Sequence, residues 1–268
     1  VGLYIAEGYA RINNSKKGFA QIQIAATEEE IRQKIITYML DVFQITPSRI
    51  TPEAIIYSSK LLYELFVEKL GLGTMAYTKR IPSKFLNLPL KKLKFLLQGY
   101  YDGDGSTDSK ELRVSCDSVS EKLLSDIMFA LSRFGIYVHK YTYTKKPGPK
   151  VAQFYKKKNR AVPVFTITKL TIPSNFCNIF ATKIGFSLKR KQETLESNLS
   201  RKITGTRIDH DNTFAYLTVK NKKLLDTKEE TYCLNVSKNH NFIANNILVK
   251  NCDGDEACVM LLMDALLN

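Results

Sequence analysis

Two short stretches decide the fold: "VGLYIAEGY" at residues 1–9 and "LQGYYDGDGS" at residues 97–106. Each is a short apolar stretch with a glycine near its middle, and each ends in an acid followed by a glycine that suits a left-handed helix exit. A glycine inside a helix costs about 1 kcal/mol relative to alanine. Glycines at equivalent places in two helices therefore predict close helix-to-helix contact, which would bring Glu7 and Asp104 together.

These two acids are candidate metal ligands. An acid at the C-terminal end of a helix opposes the helix dipole, and this placement is tolerated where a cation binds. Two carboxylates held together can bind Mg²⁺, which polarises a phosphate and lowers the pKa of an attacking water. The alternative is that either helix is an ordinary core helix with a glycine exit. The occurrence of the pattern at both Glu7 and Asp104 favours the metal site.

The sequence around the two stretches repeats. Residues 1–70 are patterned as a helix, two strands, a helix, a strand and another helix, and a second similar pass begins at Leu90. The polar stretch 188–207 predicts a linker. From residue 208 onward the chain has short strand-like stretches with turns and hardly any helical period, which predicts a separate all-β unit.

Composition favours a polyanionic partner. The 268 residues carry a net charge of +14, so nucleic acid is the first partner to consider and an anionic membrane surface the second. No apolar run approaches the roughly 18 to 20 residues of a membrane-spanning helix. Five cysteines without CxxC spacing fit a reducing cytosol, and three histidines leave carboxylates as the ligands of any metal. The chain begins without Met, inside a predicted helix, so we expect a fragment.

The residues 140–160, hereafter the basic segment, hold eight lysines and arginines and no acid, with tyrosines interleaved. Such a run is either a loop that contacts DNA phosphates or a solvated surface, and the sequence leaves both open. The candidate DNA-binding residues are Lys140, Lys145, Lys146, Lys150, Lys156, Lys157, Lys158 and Arg160.

Residues 1–187 resemble the LAGLIDADG homing endonucleases in their two-motif, single-chain form. The resemblance implies an α+β fold of two αββαββα halves, about 1–88 and 89–187, whose curved sheets straddle double-stranded DNA. It also implies that Glu7 and Asp104 hold Mg²⁺, as two carboxylate-held ions, and cut both strands. The first motif departs from the family pattern by using Glu for Asp and by lacking its leading residue.

The stretch "YTKRIPSKFLNLP" at residues 77–89 resembles the family segment that carries a basic residue near the active site, here Lys79. A lysine there could stabilise negative charge in the transition state or orient water. A surface lysine before a turn is the alternative interpretation.

The stretch "TYCLNVSKNHNFIANNILVKNC" at residues 231–252 indicates a different chemistry. Asn251 can attack its own backbone carbonyl and cleave the chain, Cys252 is a thiol nucleophile, and His240 can shuttle protons across the predicted strand pair. An exposed Asn-Cys step and a core histidine are the alternative. The ordered set resembles the C-terminal splicing motifs of inteins, and the resemblance implies that residues 208–251 are the C-terminal part of an all-β splicing (Hint) domain.

Two residues depart from the intein pattern: Lys250 stands where many members have His, and Cys233 where Asp is common. The N-terminal splicing segment of an intein is missing from this sequence. We therefore expect an N-terminally truncated intein that cannot splice alone and that needs the missing segment as a partner.

The tail "CDGDEACVMLLMDALLN" at residues 252–268 resembles the active-site strip of the large subunit of archaeal family D DNA polymerases. The resemblance implies that these residues begin the host sequence after the intein and that Asp253 and Asp255 belong to the host's catalytic metal site. It also implies a small polymerase subunit as a partner and an archaeal cytosol as the location. Helix capping by the two acids is the alternative.

Taken together, the sequence predicts a Mg²⁺-dependent, site-specific double-strand DNA endonuclease joined to C-terminal splicing chemistry, within a host DNA-directed DNA polymerase. A catalytically inactive, maturase-like remnant that binds nucleic acid without cleavage is the alternative.

Overall fold

The computed structural model of the chain describes residues 1–13, 19–200, 207–211, 214–219, 221–224, 230, 234, 236–238, 240–244 and 247–250. The chain divides into two compact units, Val1–Thr206 and Arg207–Asn268. The first unit contains the two motif helices.

The first half of this unit is a four-stranded antiparallel sheet with helices on one face. Its elements in chain order are α1 (Gly2–Glu7), β1 (Gly8–Asn13), β2 (Phe19–Ala25), α2 (Glu29–Phe43), β3 (Arg49–Ile50), β4 (Ala54–Tyr57) and α3 (Lys60–Tyr63), which continues as a π-helix over Glu64–Lys69. The strand order is β1-β2-β4-β3. Alternating residues of β2 bury Ala20, Ile22 and Ile24 in the core, as the period of two along a strand dictates.

The second half repeats this arrangement. A short connection with a 3₁₀ turn (Ala76–Thr78) and α4 (Ser83–Leu86) leads to α5 (Leu90–Asp104), β5 (Gly105–Thr107), β6 (Val114–Ser118), α6 (Glu121–Ser132), β7 (His139–Lys145), α7 (Pro149–Lys157), β8 (Phe165–Ile172) and α8 (Ser174–Lys183). The strand order β5-β6-β8-β7 is the same as in the first half. The predicted α+β fold with two similar halves is confirmed.

The two motif helices pack against each other at their glycines. A Cβ atom on Gly2 would lie 2.1 Å from the backbone oxygen of Leu96, and one on Gly99 would lie 3.2 Å from the backbone nitrogen of Leu3. The backbones of α1 and α5 therefore touch, as the sequence predicts. Because both helices end beyond this contact, their C-terminal acids lie at the same end of the interface.

The predicted linker at 188–207 is wrong over Lys189–Leu199, which form helix α9 within the first unit. Leu195 is fully buried, and the buried Asn198 donates a hydrogen bond of 2.5 Å from Nδ2 to the carbonyl of Asp108. Because α9 buries only one narrow face, most of its residues are polar, and the composition of the stretch therefore indicated a linker. The basic segment is likewise not a loop, because β7 and α7 occupy most of it.

The described residues of the second unit form two short antiparallel pairs. β9 (Asp209–His210) pairs with β10 (Ala215–Tyr216), and β11 (Asn241–Ala244) pairs with β12 (Ile247–Lys250). Of the predicted splicing and host residues, Cys233, Asn251, Cys252, Asp253 and Asp255 lie outside the described residues. Across the described part of the chain, no helix is long and apolar enough to cross a membrane.

Candidate active site

The site begins where the two motif helices end. Glu7 is the last residue of α1 and Asp104 the last residue of α5, and each is followed directly by the first strand of its sheet. The glycines after the acids do not take the predicted left-handed exit, because Gly8 has φ −81° and Gly105 has φ −76°. They are needed for space instead: a Cβ atom would lie 2.3 Å and 2.4 Å from the backbone oxygens of Tyr4 and Tyr101, respectively.

The two carboxylates interact electrostatically. The pKa of Asp104 is raised to about 7, mainly by burial and then by the negative charges of Glu7 and Asp117, while the charges of Lys191 and Lys79 oppose the shift. Burial also raises the pKa of Glu7. The backbone brings Glu7 against α5, because a Cβ atom on Gly103 would lie 3.0 Å from the Cγ atom of Glu7. A bound cation would relieve both the desolvation and the repulsion of this pair.

Lys79 lies beside the carboxylates. Its side chain is buried, with the residue 2% exposed, so the alternative of a surface lysine is wrong. Its Nζ atom donates a hydrogen bond of 2.6 Å to the carbonyl oxygen of Tyr4, in α1, and lies 3.5 Å from the centre of the Tyr4 ring. Burial lowers the pKa of Lys79 to about 7, and the charges of Asp104 and Glu7 oppose this shift.

A second lysine, Lys191 of α9, was not predicted from the sequence. Its Nζ atom donates hydrogen bonds of 2.6 Å to the carbonyl oxygens of Asp102 and Gly105, so it caps the C-terminal end of α5 as Lys79 caps α1. Burial lowers its pKa, and the charge of Glu7 is among those that oppose the shift. The order of elements along the chain gives a sequence signal for Lys191. Lys79 follows the last helix of the first half, and Lys191 follows the last helix of the second half.

A cavity of 230 Å³ opens onto Asp104 and Lys79. Asp117 and Ser118 of β6 line it together with apolar side chains such as Ile5 and Leu123. The exposed Asp117 carboxylate accepts a hydrogen bond of 3.2 Å from the hydroxyl of Tyr143. Asp117 is therefore a third acid beside the pair, and its single position in a strand gave no signal in the sequence.

The donor set fits a hard divalent cation. Within the described ranges, no cluster of three or more His, Cys, Asp or Glu side chains is arranged to hold a metal ion by itself. Mg²⁺ usually binds one or two carboxylates and completes its shell with water and substrate phosphates. Glu7 and Asp104 supply two carboxylates of this kind, and a bound cation would favour their ionised forms against the burial that raises their pKa values.

The solvent-facing sides of the two sheets carry polar and aromatic side chains. In the first sheet Arg11 and Gln21 are cross-strand partners, and the Arg11 Nε atom donates a hydrogen bond of 2.9 Å to Gln21 Oε1. In the second sheet Tyr141 and Tyr143 stack, with ring centres 5.6 Å apart. Both sheets thus present groups that can contact the edges of bases or phosphates.

The candidate DNA-binding residues differ in their surroundings. Lys140 forms an ion pair of 2.6 Å with Glu121, which partly satisfies its charge. The remaining lysines and arginine lie at the end of β7, between β7 and α7, on α7 and in the turn after it. Those with exposed side chains are Lys145, Lys146, Lys156, Lys157, Lys158 and Arg160.

In the second unit, His240 directly precedes β11 and has φ 51°. Asn241, the first residue of β11, pairs with Lys250, the last residue of β12 and the neighbour of Asn251 in sequence. The predicted strand pair is present, and the chemistry assigned to its ends stays a prediction.

Family models support the architecture. Residues 92–185 match the model of the LAGLIDADG-like domain. The match shows that this part of the chain is a LAGLIDADG-like domain, and the paired motif helices and repeated sheets of the first unit have the homing-endonuclease-like fold.

Proteins similar to this chain include archaeal DNA polymerase II large subunits. The chain is 32% identical over 279 aligned residues to that of Thermococcus kodakarensis and 24% identical over 296 to that of Haloquadratum walsbyi. Both alignments cover 100% of this chain, but the chain spans only 15% and 13% of those proteins. Among solved structures, I-DmoI in complex with DNA and Ca has 14% identity and a TM-score of 0.49, covering 73% of this chain and 94% of I-DmoI.

Proposed function

We propose that the first unit is a divalent-metal-dependent endonuclease that cuts both strands of DNA, with Mg²⁺ as the expected ion. The observation that carries this proposal is the convergence of Glu7 and Asp104 at the ends of two helices whose backbones touch. Paired carboxylates at the centre of a pseudo-symmetric molecule suit a substrate with two antiparallel strands. The fold class supports the same reaction.

In this proposal Glu7 and Asp104 hold the metal, which would supply polarisation of the scissile phosphate and a lower pKa for an attacking water. Lys79 and Lys191 bring positive charge to the ends of the same helices, where it would stabilise the charge that develops on the phosphate. With its pKa near 7, Lys79 can also take up or release a proton at neutral pH. The cavity beside Asp104 gives the substrate phosphate and water access to these groups.

The polar sheet faces and the cationic residues of the basic segment would hold the DNA. Phosphate contacts fix register, and contacts to base edges supply sequence preference. Arg11 and Gln21 are of the residue types that pair with guanine and adenine, respectively. Since α7 has no counterpart in the first half, this interface is asymmetric, which suits a target without a two-fold repeat.

We also propose that the second unit carries the C-terminal chemistry of protein splicing, by cyclisation of Asn251, acyl transfer to Cys252 and assistance from His240. The hairpin of β11 and β12 supports this, because the pairing of Asn241 with Lys250 joins the strands adjacent to His240 and Asn251. The similarity of this chain, over its whole length, to a part of the polymerase large subunits supports a host DNA polymerase, to which Asp253 and Asp255 would belong in the ligated product. That host would bring a small subunit as partner and the archaeal cytosol as location.

Mass spectrometry tests the splicing proposal. The chain, extended after Asn268, is incubated with and without an N-terminal splicing segment supplied in trans. Loss of the mass beyond Asn251, abolished by Asn251→Ala and retained in Asn245→Ala, is the expected result. An unchanged mass under all conditions would contradict the proposal.

Selection of cleaved duplexes tests the nuclease proposal and identifies the target sequence in the same experiment. A library of random-sequence duplexes is incubated with the chain and Mg²⁺, and newly formed ends are sequenced. We expect enrichment of one sequence cut on both strands, absent with Asp104→Asn and present with Asp41→Asn, which changes an exposed acid on α2. DNA binding without any cut duplex would favour the inactive, nucleic-acid-binding alternative.

A further inference from the structure

The segment that carries Lys79 is fixed by a helix of the other half. The hydroxyl of Ser120, at the start of α6, donates a hydrogen bond of 2.7 Å to the carbonyl oxygen of Lys79. The Asp126 carboxylate of the same helix accepts one of 2.9 Å from the backbone N–H of Ile81. Lys79, Ser120 and Ile81 are 2%, 4% and 0% exposed. Two side chains of α6 thus hold the backbone on both sides of Arg80.

The amino group of Lys79 points in the opposite direction, to the first half. Its Nζ atom donates to the carbonyl of Tyr4 in α1, so the side chain crosses from α6 to the end of a motif helix. A lysine side chain has four rotatable bonds, so ordering it costs conformational entropy. A fixed backbone limits the positions that the amino group can reach. A displacement of about 1 Å in an active site can cost about 100-fold in rate.

Ser120 also caps α6, since its Oγ atom accepts a hydrogen bond of 3.2 Å from the N–H of Leu123. The two roles use different parts of the hydroxyl: the oxygen accepts from the helix, and the proton is donated to Lys79. Substitutions can separate them. Aspartate is a good N-cap but, when ionised, has no proton to donate. Threonine keeps both functions.

We propose that Ser120 is a positioning residue of the nuclease, which places the Lys79 amino group at the paired carboxylates by holding the Lys79 carbonyl, with Asp126 as a second attachment. This inference rests on the proposed endonuclease function. It makes α6 of the second half necessary for the lysine at the end of the first half's motif helix. Each half would then be incomplete without the other even where it supplies its own acid.

Kinetics on a selected duplex give the first test. Single-turnover cleavage rates and DNA affinities are measured for Ser120→Ala, Ser120→Asp and Ser120→Thr. Ser125→Ala is the control, because that half-buried serine of the same helix donates its hydrogen bond to the helix carbonyl of Glu121. We expect Ser120→Asp to cut at least about 10-fold more slowly with DNA affinity within about twofold of the unsubstituted chain. Ser120→Thr and Ser125→Ala should keep the full rate. A full rate in Ser120→Asp would overturn the proposal.

Acetylation of Lys79 gives a test that does not depend on cleavage. The folded protein is pulsed with acetic anhydride, and the extent of modification at Lys79 is read by mass spectrometry of peptides. We expect several-fold faster modification in Ser120→Ala and Ser120→Asp, and no change in Ser120→Thr or Ser125→Ala. Unchanged modification in Ser120→Asp would overturn the positioning role. A chain that shows these labelling changes but cuts no DNA would retain the positioning and refute the nuclease function.

Discussion

Asp104 and Lys79 face the same cavity, and burial moves their pKa values towards each other, to about 7 in both cases. Each group carries its charge at a cost in the absence of a cation or DNA. Such a site is held ready for a ligand by the surrounding fold, and the helix contact at Gly2 and Gly99 supplies that support. The shifted pKa values of Asp104 and Lys79 therefore lead to a prediction about stability and to one about catalysis.

The stability prediction concerns Asp104. Its pKa is raised from 3.8 to about 7, so the folded state holds the proton more tightly than the unfolded state, and stability is lost as pH rises between these values. The full shift corresponds to roughly 4 kcal/mol, and solvent access reduces this to about 2 kcal/mol. We expect Asp104→Asn to gain about 2 kcal/mol in the free energy of unfolding, relative to the unsubstituted chain, between pH 4 and pH 8.

Urea unfolding at the two pH values, without divalent ions, measures this difference. The control is Asp41→Asn, for which the difference from the unsubstituted chain should not grow with pH in this way. A constant difference for Asp104→Asn would contradict a raised pKa of the buried Asp104 carboxylate.

The two buried lysines, Lys79 and Lys191, lead to a prediction about catalysis. Lys79→Met and Lys191→Met should each lower the single-turnover cleavage rate about 100-fold, the usual effect of removing one group that stabilises transition-state charge. DNA affinity should change little, because both lysines are buried. Lys122→Met, on the exposed side of α6, is the control. A full rate in Lys191→Met would limit the site to Lys79 and the acids.

Sequence and structure agree at the residue scale where a motif carries the residue. The repeated glycine-and-acid pattern predicts the proximity of Glu7 and Asp104, and the resemblance of residues 77–89 to a family segment predicts Lys79 beside them. Lys191 reaches the site because α9 packs on α5, and its only signal in the sequence is its place after the second half, which matches that of Lys79 after the first. Asp117 reaches the site because β6 runs beside β5, and its single position in a strand gives no signal.

Gly2 and Gly99 occupy equivalent places in the sequences of α1 and α5, but the structure leaves less space for a Cβ atom at Gly2 than at Gly99. A Cβ atom on Gly2 would overlap the Leu96 carbonyl at 2.1 Å, while one on Gly99 would meet Leu3 at 3.2 Å. Gly2→Ala should therefore lower the free energy of unfolding by about 3 kcal/mol, as overpacking does. In Gly99→Ala the gain in helix propensity, about 1 kcal/mol, offsets most of the milder contact.

Urea unfolding of the two variants checks this ranking. Gly148→Ala is the control, because a Cβ atom there would meet nothing within 4 Å. Equal losses in Gly2→Ala and Gly99→Ala would contradict the observed packing of α1 on α5.

Helix α7 gives the prediction for DNA binding. Replacement of Lys156, Lys157 and Lys158 by Gln should weaken binding to any duplex. It should also reduce the slope of log affinity against log salt by about 2 to 3, since each phosphate contact contributes about 0.9. The matched control replaces Lys91, Lys92 and Lys94, which lie about 15 Å or more along α5 from Asp104. An unchanged slope in the α7 variant would leave the basic segment as a solvated surface.

Helices and strands could be predicted from the sequence where apolar residues recur with the regular period of a helix or a strand. The motif helices and the repeated strands of both halves have clear patterns, and the structure confirms the fold class. α9 was missed because nine of its eleven residues are polar or charged, so composition indicated a linker. α7 was missed because it lies in a lysine-rich stretch that contains Pro147 and Pro149, which indicated a loop. In α9 the buried contacts of Lys191 and Asn198 are polar, and a search for apolar period does not detect them.

On the scale of the whole molecule, the repeat explains why one chain can present two acids, two lysines and two sheets around a single site. The LAGLIDADG-like model covers residues 92–185, and the same strand order over the first half extends the architecture to the N-terminal part of the chain. The chain spans 15% of the Thermococcus kodakarensis subunit, and the paired acids lie in its first unit.

We propose above that Glu7 and Asp104 together form a metal-dependent site that cuts DNA. Single-turnover cleavage of a selected duplex tests this proposal. The rate is measured with Mg²⁺ and with EDTA for the unsubstituted chain, Glu7→Gln, Asp104→Asn and Asp41→Asn, with DNA affinity measured alongside. We predict double-strand cleavage that requires Mg²⁺, falls at least about 100-fold in Glu7→Gln and Asp104→Asn at similar DNA affinity, and is unchanged in Asp41→Asn. Cleavage that persists in Asp104→Asn or in EDTA would contradict the claim.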